Sequence, residues 1–134
     1  MNLKLIENGI KPRIAFYDGI CLDQYQDLAK RWNEMLSIVH KEVLTYINDD
    51  SLCFDDREDS NSFPLRSKLT GNYNIESVSF IKRVNPMGFQ IMIKTRLTEH
   101  LPTGEDDYLG LEVTLFTKSI NETFKVWGID SSSI

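Results

Sequence analysis

At 134 residues, with 41% hydrophobic and 26% charged residues, the chain has the size and composition of one ordinary globular domain, spanning 1–134. No apolar run approaches the roughly 20 residues of a membrane span. The opening MNLKLIENGIKPR is too polar for a secretory signal, so the expectation is a cytoplasmic protein without a membrane partner. Net charge is −5, but ten of the twenty acids fall in two short stretches, 49–59 and 99–107, leaving fourteen bases against ten acids elsewhere. Nucleic-acid binding is therefore not expected, because phosphate contacts need a basic surface.

Leu3 and Leu5 alternate with polar neighbours, Asn8-Gly9 is a hairpin-turn pair, and Arg13-Ile14-Ala15-Phe16-Tyr17 resumes an extended pattern behind Pro12. A β-hairpin is expected there, followed by a tight turn at Asp18-Gly19. A helix should start after Asp23, with Gln26 completing a capping box. Leu28, Trp32, Met35, Leu36, Val39, Val43, Leu44 and Ile47 recur at three- and four-residue intervals, and no Gly or Pro interrupts 24–47. One long helix is the expectation, ended by Asn48-Asp49-Asp50.

The stretch SLCFDDREDSNSFP follows, with Asp55, Asp56, Glu58 and Asp59 against a single Arg57. Beyond it the pattern becomes an antiparallel meander. Val78, Phe80, Lys82 and Val84 alternate with Ser77, Ser79, Ile81 and Arg83, and Asn85-Pro86-Met87-Gly88 supplies a turn. Phe89–Thr95 runs back, and a polar loop from Thr98 to Asp107 carries Glu99, Glu105, Asp106 and Asp107. Leu109, Leu111, Val113 and Leu115 alternate on the next strand. Ser119–Glu122 turns into Thr123–Ile129, and the terminal SSSI is expected to fray. The sum is an α+β fold, one long helix packed on a mostly antiparallel sheet of about five to six strands.

Chemistry-bearing motifs are missing. The acidic stretch fails as an EF-hand, since no register puts Gly at the sixth position and ligands at the third and fifth. A looser divalent site from Asp55, Asp56 and Asp59 is weaker than a solvated loop, and adjacent wet carboxylates do not make an acid–base pair. His40 sits on the flank of the apolar helix face and reads as a core-edge residue; His100 lies in a polar loop. Two histidines and the two cysteines, Cys21 and Cys53, do not form a zinc pattern, and no disulfide is expected. There is no nucleophile elbow and no phosphate-binding loop. No cofactor, metal or catalytic residue is implied. Lys82-Arg83 and Lys94-Arg96 would form a basic stripe if cross-strand neighbours, but solvent-facing residues paired with the acidic loops are the plainer reading.

The physical profile is that of a small, acidic protein-binding module, an inhibitor or immunity-type protein that neutralises a basic toxin or nuclease by direct contact. Asp55, Asp56, Glu58, Asp59, Glu105, Asp106 and Asp107 are the expected partner-binding residues. One alternative is a small-ligand binder or enzyme with a pocket between helix and sheet, lined by Trp32, Tyr46 and Trp127. Another is a structural subunit that oligomerises through an exposed strand edge.

Overall fold

The structure, a computed structural model, describes residues 3–7, 13–49 and 69–132, with 13–18 and 132 described by backbone alone. In chain order the elements are β1 (Ile6–Glu7), β2 (Arg13–Asp18), α1 (Leu22–Ala29), α2 (Trp32–Ile47), β3 (Leu69–Val84), β4 (Met87–His100), β5 (Asp106–Thr117) and β6 (Lys125–Ser132). The fold is α+β, with two helices on one face of a mixed sheet. That sheet is five strands wide, in the order β1-β3-β4-β5-β6, and β2 follows β1 along the same edge of β3.

The expected hairpin between the first two strands does not form. β1 and β2 both run parallel to β3, at Ile6↔Asn72 and then Arg13↔Ser77 through Asp18↔Ile81. A parallel neighbour must be reached by a crossover, and the two helices provide it. The Asn8-Gly9 pair lies outside the described residues. Gly71, at φ 86, is where the Leu3–Lys4 backbone passes so close to β3 that a Cβ would meet the Lys4 carbonyl.

The three long strands form the expected meander, but they are longer than composition suggested. β3–β4 pair from Leu69↔Glu99 to Val84↔Met87, closing on Asn85-Pro86 in the cis form, one residue earlier than the Asn85–Gly88 turn pattern implied. Gly88 instead sits where a Cβ would strike the Phe116 ring. β4–β5 pair without a break from Phe89↔Thr117 to His100↔Asp106, so half of the polar stretch Thr98–Asp107 is strand, with a connection of only 101–105. β6 continues to Ser132, opposite Gly110, so Ser131 and Ser132 are paired; Ser133 and Ile134 lie outside the described residues.

The core lies between the helices and this sheet. α2 contributes Met35, Val39, Val43 and Ile47, all fully buried, and the sheet answers with Tyr73, Ile75, Val78, Ile91, Ile93, Leu97, Leu111, Val113 and Leu115. Trp32, Leu36 and Leu44 flank the cluster as anticipated. At roughly 1.5–3 kcal/mol for each fully buried aliphatic side chain, this stripe is the main source of cohesion.

The helix, however, is two helices. α1 begins earlier than expected: Cys21 is the N-cap, its amide donating to Gln24 Oε1 at 3.3 Å, while Asp23 lies within the first turn, where its charge suits the macrodipole. The break comes at Lys30–Arg31, where Arg31 N bonds Leu28 O at 3.0 Å in a tightened turn and Arg31 O starts α2 by accepting from Met35 N. Arg31 occupies this joint because its guanidinium is used elsewhere. Nη1 donates to the Ile120 and Glu122 carbonyls, each at 2.7 Å, and the group lies 4.0 Å over the Phe124 ring. It also pairs with Glu34, whose carboxyl it holds below the ordinary range chiefly through their hydrogen bond. The Arg31 side chain is 19% exposed but that of Glu34 is 47% exposed, so the carbonyl bonds matter more than the ion pair.

Replacing Arg31 by Ala should lower stability in urea by about 2–3 kcal/mol, since it strands the Ile120 carbonyl and removes the cation over Phe124. Glu34→Gln should cost less than about 0.5 kcal/mol. Equal losses for the two variants would show that the joint is held by the ion pair instead.

Candidate functional site

The ends of the sheet are where the chemistry collects. At one end β4 runs into β5 through 101–105, and the hairpin is held by Leu101 N to Glu105 O and Gly104 N to Leu101 O, each 3.0 Å, with Gly104 at φ 86. Glu105 and Asp106 are exposed on it, and Asp107 is half-buried. Asp106 Oδ1 lies 2.6 Å from His100 Nδ1, and Asp107 Oδ1 accepts from the Tyr108 amide at 2.8 Å. No lysine or arginine forms an ion pair with these three acids among the described residues. Glu99, grouped with them by sequence, is a different kind of acid: it is 1% exposed, on β4, and belongs to the protein interior.

The same end receives the C-terminus of α2. Asn48 clamps the Leu3 backbone, accepting from Leu3 N at 2.8 Å and donating to Leu3 O at 3.0 Å, and Leu3 lies beside Gly71 near the start of β3. α2 has no basic residue in its last turn, so its exposed carbonyl end adds to the negative field there. The chain leaves the described structure after Asp49 and returns at Leu69, opposite Glu99. Both flanks of the first acidic stretch therefore attach at the end that carries Glu105, Asp106 and Asp107. Asp55, Asp56, Glu58 and Asp59 themselves lie outside the described residues, as does Cys53.

Other candidates separate. Among the described residues, no three His, Cys, Asp or Glu side chains come close enough to hold a metal ion. Trp32 and Tyr46 pack on the core from the helix layer, whereas Trp127 stacks on Phe116 at 4.3 Å, outside that core cluster. The three aromatics thus do not line one pocket, because Phe116 alternates with the core-facing Leu115 and looks out of the opposite face. The basic stripe also fails: Lys82 and Arg83 lie opposite Phe89 and Gly88 near the turn, while Lys94 and Arg96 lie far along β4. Arg96 pairs with Glu76 of the next strand at 3.2 Å, not with an acidic loop.

The opposite end of the sheet was missed by sequence reasoning. There the β3–β4 turn and the β5–β6 turn border two open grooves of about 370 and 460 Å³. Lys82 and Lys118 line the first, with Gln24 of α1; Lys118 and Lys125 line the second, beside Phe116. The available signal was Val84-Asn85-Pro86-Met87, an apolar turn directly after Lys82-Arg83.

His40 is the core-edge residue it was expected to be, half-buried on α2 with Nδ1 2.9 Å from the Tyr73 hydroxyl. Burial, aided by the nearby Glu7 charge, raises the Tyr73 phenol from 10.0 to about 12. The folded state thus holds that proton where the unfolded chain has lost it. The buried neutral phenol's contribution is complete below pH 10.0 and falls as pH rises toward about 12, by on the order of 2 kcal/mol. Urea midpoints at about pH 9 and pH 11.5 should therefore diverge more for the wild type than for Tyr73→Phe. Identical alkaline losses would remove Tyr73 as the cause.

No family model, no curated protein and no solved structure matches the chain.

Proposed function

We propose that the chain is a protein-binding module whose acidic end engages a basic protein, in the manner of an inhibitor or immunity protein directed at a cationic toxin or nuclease. The observation that carries this reading is the meeting, at one end of the sheet, of Glu105, Asp106 and Asp107 with the α2 C-terminus and both flanks of the 50–68 segment. Glu105 and Asp106 sit where strand pairing stops, so a rigid sheet presents them to solvent. Asp55, Asp56, Glu58 and Asp59 lie outside the described residues and enter this reading as further contact residues by charge alone.

Carboxylates that pair with no lysine or arginine among the described residues create a field that attracts a cationic surface before contact. Such a surface mimics the phosphates that a basic nuclease normally recognises. Catalysis has no part in this reading. The described acids are neither buried together nor held beside a nucleophile, and the two grooves lie at the other end.

The test is affinity capture of a basic partner from host lysate, followed by association kinetics with the purified pair. Glu105→Gln, Asp106→Asn and Asp107→Asn together should slow association at least about tenfold without changing the melting temperature. Neutralising Asp55, Asp56, Glu58 and Asp59 should have an effect of similar size, and added salt should shrink both. An unchanged on-rate in both sets of variants, with a partner in hand, would end the steering account.

A further inference from the structure

The end of the sheet remote from the acids has its own character. Val84 and Met87 flank the Asn85-Pro86 turn and are 83% and 71% exposed, an apolar tip that no other element covers among the described residues. Three lysines surround it. Lys82 lies opposite Phe89, on the face that carries the helices, and Lys125 lies opposite Phe116, on the other face. Lys118 borders the groove on each side. None of the three makes an ion pair among the described residues. Glu122 is the acid on the groove linings, and Trp127 stands 42% exposed beside Lys125.

We propose that this end docks on an anionic lipid bilayer, with Val84, Pro86 and Met87 entering the head-group layer and Lys82, Lys118 and Lys125 facing the lipid charge. Charge complementarity and the shape of the end select this occupant. A nucleic-acid backbone would satisfy the lysines but leave the projecting apolar tip in water. Lysines on both faces of the sheet, set back from its tip, match a surface lying across the strands rather than a ligand along one face. Trp127, exposed and 5.6 Å from the Arg83 guanidinium beside the turn, offers an indole of the kind that favours the boundary between head groups and water. The absence of a membrane-crossing helix among the described residues does not bear on surface docking, which needs only shallow apolar burial plus electrostatic attraction. Docked this way, the acidic end points away from the anionic surface and remains free for a partner. The inference uses residues at the opposite end from the proposed protein-binding surface and stands or falls separately from it.

Co-sedimentation of the full chain with vesicles tests it, using phosphatidylcholine alone and phosphatidylcholine mixed with phosphatidylserine, at low salt. Binding is expected to the mixed vesicles and not to phosphatidylcholine. Lys118→Gln with Lys125→Gln should lower the partition about 25-fold, roughly fivefold per lysine. Val84→Asp with Met87→Asp should abolish it; both sites are exposed, so an unchanged melting curve confirms that the fold survives. Failure to bind the phosphatidylserine vesicles overturns the proposal. So does binding that tolerates the aspartates, because the tip would then not enter the bilayer.

Discussion

A helix and a strand of equal residue count differ twofold in length, and the architecture follows from that mismatch. α2 and β3 each have sixteen residues. At 1.5 Å per residue α2 spans about 24 Å, whereas β3 at about 3.3 Å per residue spans about 50 Å. One helix therefore cannot cover the apolar face of the long meander. The joint at Lys30–Arg31 divides the work: α2 covers the middle and the end near Leu3, while α1 lays Tyr25 edge-on against Phe80 at 5.3 Å and buries Leu28. Arg31 ties the joint to the β5–β6 turn through carbonyls 89 and 91 residues away, so the helix layer and the sheet are fastened at the place where the helix bends.

The two ends of the sheet carry opposite charge. Glu105, Asp106, Asp107 and the α2 carbonyl end gather where β4 meets β5; Lys82, Arg83, Lys118 and Lys125 gather where β3 meets β4 and β5 meets β6. The strands between are paired without interruption along β4–β5, so the two charged ends are held apart by rigid structure. A weakly acidic net charge thus conceals a molecule with two distinct poles.

Much of this was readable where a residue's environment depends on near neighbours. The stripe from Leu28 to Ile47 and the alternation from Leu109 to Leu115 faced the core as their periods required. The helix break was not readable, because no Gly or Pro marks it and its cause lies in Ile120 and Glu122. The parallel edge strands were hidden behind Asn8-Gly9, a pair that reads locally as a turn. Polar composition made 98–107 look like a loop, when half of it is paired strand and Glu99 is interior. Glu105, Asp106 and Asp107 could be picked from composition as an acidic cluster, whereas the grip of Asn48 on Leu3 that brings the α2 C-terminus to the same end could not. The lysines of the other end come from three separate segments, and only topology brings them together.

The acidic and basic groups form two separate poles on one rigid sheet, which amide chemical-shift mapping with a short polylysine peptide would read out residue by residue. Saturable shifts are expected at 101–108 and at Asn48–Asp49, with Lys82–Met87 and Lys118–Lys125 unmoved. Shifts spread evenly over both ends, or absent from Glu105–Asp107, would contradict that arrangement.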